Sequence, residues 1–263
     1  MAYGQYRLRL LHISDLHARG PGEKEPWRRR RVLGDAWLRN LETLMEEEGA
    51  PDLILFTGDA AYSGQPDEYR EAANFFEVLR DELQLGSDRL YVVPGNHDID
   101  RNVHPDAWQS MRMRLSATAD SLGVSRWMND IAGPPAGFEH SWKPAVLERQ
   151  RAYRAWVAGQ LQRPDLSPDG LGYRVTVRLP GWGFPIHVVG LNTAWLSGDD
   201  ADASRLMLTE NQLGRHATGE RGEPLPGLRI VLLHHPLHEL ADGSAVKRLL
   251  SDYADIVFRG HLH

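Results

Sequence analysis

Five short apolar runs each stop at, or within three residues of, a motif built from Gly, Asp, Asn and His. They are Leu10-Leu11-His12-Ile13-Ser14, Leu53-Ile54-Leu55-Phe56, Leu90-Tyr91-Val92-Val93, Ile230-Val231-Leu232-Leu233 and Ile256-Val257-Phe258. Continuous branched runs of this length suit strands buried on both faces. The motifs that follow are Asp15-Leu16-His17, Gly58-Asp59, Gly95-Asn96-His97-Asp98, His234-His235 and Gly260-His261-Leu262-His263. Ends from such distant parts of a chain can meet only if the strands share one region of a sheet and point their carboxyl ends the same way. Open α/β sheets place their sites along that edge.

Between the runs, helical periodicity predicts helices from about Arg30 to Glu48 and from Glu68 to Leu83. The resulting β, α, β, α, β alternation implies crossover units. The stretch from about 99 to 170 breaks it. That stretch carries Trp108, Trp127, Trp142 and Trp156, with helical patterns near Asp106 to Leu122 and Val146 to Leu161. It reads as a helical insertion standing over or beside the motif edge, and its tryptophans read equally well as staples of a satellite core. Strand patterns return at Tyr173 to Val177 and Ile186 to Leu191, joined through a Pro/Gly turn as a hairpin. Helices are expected near Thr209 to His216 and Ala245 to Leu250.

At 263 residues the chain fits one domain with an insertion, 1–263, better than two equal domains. No apolar run approaches the roughly 20 residues of a membrane span, and no basic segment precedes an apolar stretch at the N-terminus, so the expected address is cytoplasmic. Zero Cys excludes disulfides and thiolate ligands. A formal net charge of -6 argues against a broadly basic nucleic-acid surface. The run Arg28-Arg29-Arg30-Arg31 reads as a solvated helix start in preference to a binding face, because consecutive residues point around a helix.

The motif residues suit metal ions. Asp15 and His17 are two apart, so continued strand geometry would point both to one side; the same holds for His261 and His263. Asp59 is a lone carboxylate at a strand end, and one carboxylate has the two oxygens needed to bridge two cations. Asn96 adds a neutral oxygen and His234 an imidazole. Spread over two ions, these seven residues give each about four ligands, leaving room for water and a substrate oxygen. Such mixed ligands favour two divalent transition metals, Mn first, with Fe, Zn, Co or Ni as alternatives. Paired ions lower the pKa of a shared water and clamp both oxygens of an in-line displacement.

In order and wording, the five motifs resemble the calcineurin-like metallophosphoesterase superfamily, whose pattern is D-x-H, G-D, G-N-H-D/E, H and G-H-x-H. The resemblance runs from about Leu10 to His263, excepting the insertion. It implies a four-layer α/β/β/α sandwich of two mixed sheets. It further implies that Asp15, His17, Asp59 and His263 hold one metal while Asp59, Asn96, His234 and His261 hold the other. His97 would stabilise the phosphoryl oxygens or protonate the leaving alkoxide, with Asp98 orienting and charging it. In His234-His235-Pro236 the family spacing makes His234 the ligand and His235 a supporting residue. Tyr62 reads as a packing or pocket residue. Members of the family generally continue past G-H-x-H, so the chain reads as the N-terminal catalytic module of a longer protein.

The wording of the D-L-H, T-G-D and P-G-N-H-D-I motifs is closest to the bacterial branch that includes class III cyclic-nucleotide phosphodiesterases. The implied partner is a phosphoester substrate, a nucleotide among the candidates. Alternatives are a nuclease resembling the Mre11 or SbcD group, which the acidic balance disfavours, a phosphomonoesterase, and a non-catalytic scaffold. Of the remaining histidines, His12 and His187 read as core or sheet residues; His104, His140 and His216 read as surface or insertion residues. His238 and Arg101 are candidates to touch a phosphate because they lie near motifs.

Overall fold

Leu53–Phe56 forms strand β2, and each of its four side chains is fully buried, as a strand flanked on both sides and covered on both faces must be. A computed structural model provides the coordinates and describes residues 7–24, 34–117, 120–167, 171–199 and 201–262. Beside β2 run β1 (Leu10–Ile13) and β3 (Leu90–Val92), both parallel to it, in the order β1-β2-β3. The crossovers are helices α1 (Asp35–Glu48) and α2 (Pro66–Leu83). The start of α2 is fixed by Pro66 in its first turn and by a Gln65–Glu68 capping box; left-handed Gln84 ends it. Its buried face, including Tyr69, Ala72, Phe76 and Leu79, joins the main core.

A second sheet takes β4 (Tyr173–Val177), β5 (Ile186–Gly190), β6 (Leu228–Leu232) and β7 (Ile256–Phe258) in that order. The first pair is an antiparallel hairpin and the others are parallel. Alternate residues sort by face: Ile186, Val188, Ile230 and Leu232 join the core shared with the first sheet, whereas Val189 and Val231 pack in a second core. That second core includes Leu213 of α7 (Glu210–Ala217) and Val246 of α8 (Gly243–Tyr253).

Three expectations need correction. The first sheet is not mixed, since its described strands are all parallel. The motif-bearing strands do not share one sheet: three belong to the first and two to the second. Nor are all five buried on both faces. β1 and β7 are edge strands, leaving Ile256 and Val257 exposed. His12 is exposed on β1, where its ring meets Phe258 at 4.9 Å between centroids and its Nε2 bonds Thr57 Oγ1 at 2.8 Å.

Between β3 and β4 lie helices α3 (Pro105–Ala117), α4 (Ser121–Met128), α5 (Trp142–Glu148) and α6 (Arg151–Ala155), followed by a π-helical turn at Trp156–Gln160. Trp127 and Trp142 flank Phe138 in the second core, Trp156 stacks on Tyr69 in the first, and Trp108 donates to the Leu196 carbonyl at 2.8 Å. Here the tryptophans act as staples. No helix among the described residues is long and apolar enough to cross a membrane. The basic run 28–31 lies outside the described residues.

Candidate metal centre

Past β1 and β2 the chain continues as two loops running side by side. Amide Asp15 donates to the Gly58 carbonyl, His17 to Asp59 and Ala18 to Ala60, each at 2.9 Å. Strand geometry nevertheless ends at Ile13, because Asp15 and His17 both take positive φ, 59° and 48°. The two side chains therefore converge through left-handed turns and not through strand alternation. Asp59 and His261 are left-handed as well. Strain of this kind in non-glycine residues persists where the surroundings enforce it, and it clusters at functional sites.

Two glycines explain why these motifs are spelled as they are. A Cβ on Gly58, at φ 100°, would lie 2.5 Å from His234 Nδ1, and one on Gly95 would collide with the Asp59 carboxylate. The cluster is thus packed directly against bare backbone.

Asp59 Oδ2 lies 3.3 Å from His234 Nε2 and 3.9 Å from His17 Nε2, and His17 Nε2 is 4.0 Å from Asp15 Oδ1. On the other side, Asn96 Oδ1 lies 3.0 Å from both His234 Nε2 and His261 Nδ1, which are 3.2 Å apart. The tautomers follow from the outer partners. His234 Nδ1 donates to the Thr57 carbonyl at 2.6 Å, and His261 Nε2 faces Glu239 Oε2 at 3.2 Å. Each ring, when neutral, turns its lone pair inward toward the Asn96 amide oxygen and the Asp59 carboxylate; in the bare protein His234 fills that place with a second proton on Nε2, which faces Asp59. Imidazole, amide and carboxylate donors converging on a position held by a proton fit divalent transition metals.

In the bare protein the charges compensate. Burial opposes a proton on His234, but the adjacent Asp59 carboxylate outweighs it and lifts the ring to about 9. Burial would also raise the Asp59 carboxyl, yet His234 and His97 hold it well below the usual range. His261 is lowered by burial and by His234. A divalent ion would supply the positive charge that His234 supplies here.

The structure brings Asp15, His17, Asp59, Asn96, His97, His234 and His261 together; His263 lies outside the described residues. His97 anchors twice: its amide donates to Asp59 Oδ1 at 2.8 Å and its Nδ1 to the Tyr62 carbonyl at 2.6 Å. The Asp98 carboxylate meets partners other than the His97 ring. Its buried carboxylate accepts the amides of Asp59 at 2.9 Å, Ala60 at 3.3 Å, Ala61 at 3.0 Å and Gly95 at 2.9 Å, together with the Tyr69 hydroxyl at 3.1 Å. The carbonyl of Tyr62 orients His97; Asp98 ties the G-D loop to the G-N-H-D loop. Burial and the neighbouring Asp59 push its carboxyl up to about 6, so it is ionised at neutral pH.

Supporting residues beyond the candidate ligands are Thr57, Glu239 and Thr193, whose hydroxyl meets His235 Nδ1 at 2.8 Å. His235 is buried, and its ring nitrogen lies within 4.8 Å of those of His234 and His261. Glu239 gave no sequence signal, because it lies on a short turn five residues past His234 with no periodicity. Tyr62 is 41% exposed, its ring 5.2 Å from that of His97 and capped by the Arg19 guanidinium at 3.8 Å. It stands exposed beside His97, at the edge of the cluster.

The candidate ligands thus gather past the carboxyl ends of parallel α/β strands, the edge where such sheets carry their sites. The chain belongs to the calcineurin-like phosphoesterase family, whose model matches residues 8–159. Over 266 aligned residues it is 24% identical to the uncharacterized metallophosphoesterase-like protein YydB of Bacillus subtilis, with 98% of this chain and 49% of that protein covered. Over 94 residues it is 39% identical to a cAMP/cGMP dual specificity phosphodiesterase of Mycobacterium tuberculosis, covering 34% of this chain and 26% of that one. The chain thus spans about half the length of the first of these relatives and a quarter of the second. Among solved structures, the sulfate thiohydrolase SoxB of Thermus thermophilus, in complex with glycerol, aligns at a TM-score of 0.46 and 15% identity, over 99% of this chain and 49% of that one.

Proposed function

We propose that the chain hydrolyses phosphodiesters at a pair of divalent metal ions, Mn first among them, with a nucleotide diester as the favoured substrate class. The observation that carries this reading is the placement of Asp59 Oδ2 between His17 and His234, with Asp15 beyond one and Asn96 and His261 beyond the other. Asp15, His17 and Asp59, with His263, would hold one ion; Asp59, Asn96, His234 and His261 would hold the second. When bound, such a pair supplies an acidified water and a clamp for phosphoryl oxygens. The diester preference is supported by the 39% identical segment of a cyclic-nucleotide phosphodiesterase. The two-sheet packing is read as the four-layer sandwich.

The protein's own groups perform the remaining work. Asp59, kept ionised, presents one oxygen to the imidazoles while the other accepts the His97 amide. His97, with Nδ1–H committed to the Tyr62 carbonyl, keeps Nε2 for a phosphoryl or leaving oxygen. The exposed Tyr62 ring and the Arg19 cation border the entrance. Hydrolysis of a chromogenic phosphodiester and the matching monoester by metal-stripped, Mn-refilled protein tests the reading. Diester cleavage that requires both Mn and His97 is expected. Cleavage of the monoester alone would refute the diester preference, and no cleavage by protein holding two metals would refute the activity.

A further inference from the structure

The loop that follows Asp15-Leu16-His17 holds a cation in a fixed position beside the metal centre. Ala18 pairs with the neighbouring loop, its amide donating to the Ala60 carbonyl at 2.9 Å and its carbonyl accepting the Tyr62 amide at 3.0 Å. One oxygen of Glu71, on α2, accepts the next two amides, Arg19 at 3.2 Å and Gly20 at 2.7 Å. Gly20, at φ 51°, lies so close to the first turn of α2 that a Cβ there would sit 2.9 Å from the Asp67 carbonyl oxygen. The Arg19 backbone is therefore held on both sides. Its side chain is held as well, with the guanidinium carbon 3.8 Å from the centre of the Tyr62 ring, a stack that orders the planar group.

What this cation lacks is an anion. Half-buried Arg19 makes no side-chain hydrogen bond or ion pair among the described residues, and its guanidinium nitrogens still reach solvent. A guanidinium presents a rigid fork matched to phosphate oxygens, and ordering it beforehand lowers the cost of binding. Its place bears on which phosphate it meets. The Tyr62 ring that carries it lies beside His97 and His17, at 5.2 and 6.2 Å between centroids, and the Tyr62 carbonyl accepts His97 Nδ1 at 2.6 Å. Arg19 is thus set back from the candidate ligands by an aromatic ring, a position beyond the reacting phosphorus. We propose, resting on the diester reading above, that Arg19 is a specificity-determining residue that binds a second phosphate on the nucleoside part of the substrate. Nucleotide diesters phosphorylated beyond the scissile linkage are then preferred over those with a single phosphate.

Thymidine 5′-(p-nitrophenyl phosphate) and the same ester bearing a 3′-phosphate form a matched pair for Mn-refilled protein. Wild-type kcat/KM should be about tenfold or more higher for the 3′-phosphorylated ester, chiefly through KM, as one charge-assisted contact allows. Arg19→Gln should remove that preference, and Arg19→Lys, which keeps the charge without the planar fork, should retain part of it. Calorimetry separates this claim from turnover: thymidine 3′,5′-bisphosphate should bind the wild-type protein about tenfold tighter than thymidine 5′-phosphate, and Arg19→Gln should bring the two affinities together. Equal affinities in the wild type, no binding of either nucleotide, or a preference that survives Arg19→Gln would overturn the role of Arg19. Failure to cleave either ester, with the binding preference intact, would overturn the diester reading and uphold the phosphate site.

Discussion

Replacing Asp98 separates a structural tie from a catalytic orienter. Its carboxylate collects four backbone amides and the Tyr69 hydroxyl, at distances of 2.9 to 3.3 Å, in a fully enclosed position. Hydrogen bonds to a charged group are each worth about 1.5–3 kcal/mol. The sum is an overestimate, because removing the charge also returns a desolvation penalty of several kcal/mol. The net loss for Asp98→Ala should be about 4 kcal/mol, a large part of an ordinary 5–15 kcal/mol stability. Asp98→Asn keeps the shape but turns an amide group toward N–H donors, and should cost about 2–3 kcal/mol. Urea unfolding of metal-free protein reads this directly. If Asp98 served chiefly to orient His97, Asp98→Asn would lie within about 0.5 kcal/mol of wild type, the ordinary scatter of neutral substitutions, and only turnover would fall. That result would refute the tie.

Gly95→Ala should drive its methyl into the Asp59 carboxylate, lowering stability by about 1–3 kcal/mol and weakening Mn binding, as thermal melts and calorimetry would show. Glu239→Ala removes the carboxylate that orients His261 from 3.2 Å and should weaken metal binding about 10–100-fold, whereas Glu239→Gln should recover part of it. His216, expected at the surface, donates toward the Leu171 carbonyl at 2.9 Å and is lowered to about 4 by burial. Its folded pKa is depressed, so its stability contribution is complete above about 6.5 and is lost as pH falls through 4, roughly 3 kcal/mol in all. His216→Gln should flatten the pH dependence of Tm between those limits. Asp59→Ala should abolish turnover and weaken both metals, measured by initial rates and metal content.

Strand ends, and the motif side chains that converge past them, were legible because both rest on local chemistry. β2 and β7 coincide with their apolar runs, and Gly58 and Gly95 announce close backbone approach. Sheet membership was not legible: β3 and β6 carry equally apolar runs, and only tertiary pairing assigns them to different sheets. Edge status was hidden for the same reason, so His12 in an apolar run was expected to be buried. The left-handed turns at Asp15 and His17 escaped because a two-residue spacing fits strand alternation equally well. The bonding of Asp98 was not legible, because proximity to His97 in sequence says nothing about where a carboxylate turns. Four amides outcompete one imidazole.

Metal stoichiometry is the most direct measurement. Metal-stripped protein titrated with Mn and followed by electron paramagnetic resonance should bind two ions per chain with a spin-coupled signal, which Asp59→Asn should eliminate and Asn96→Ala should reduce to a single uncoupled ion. A single Mn per chain in the wild-type protein, or a coupled pair that survives loss of the Asp59 carboxylate, would contradict a centre built on Asp59 as the shared ligand.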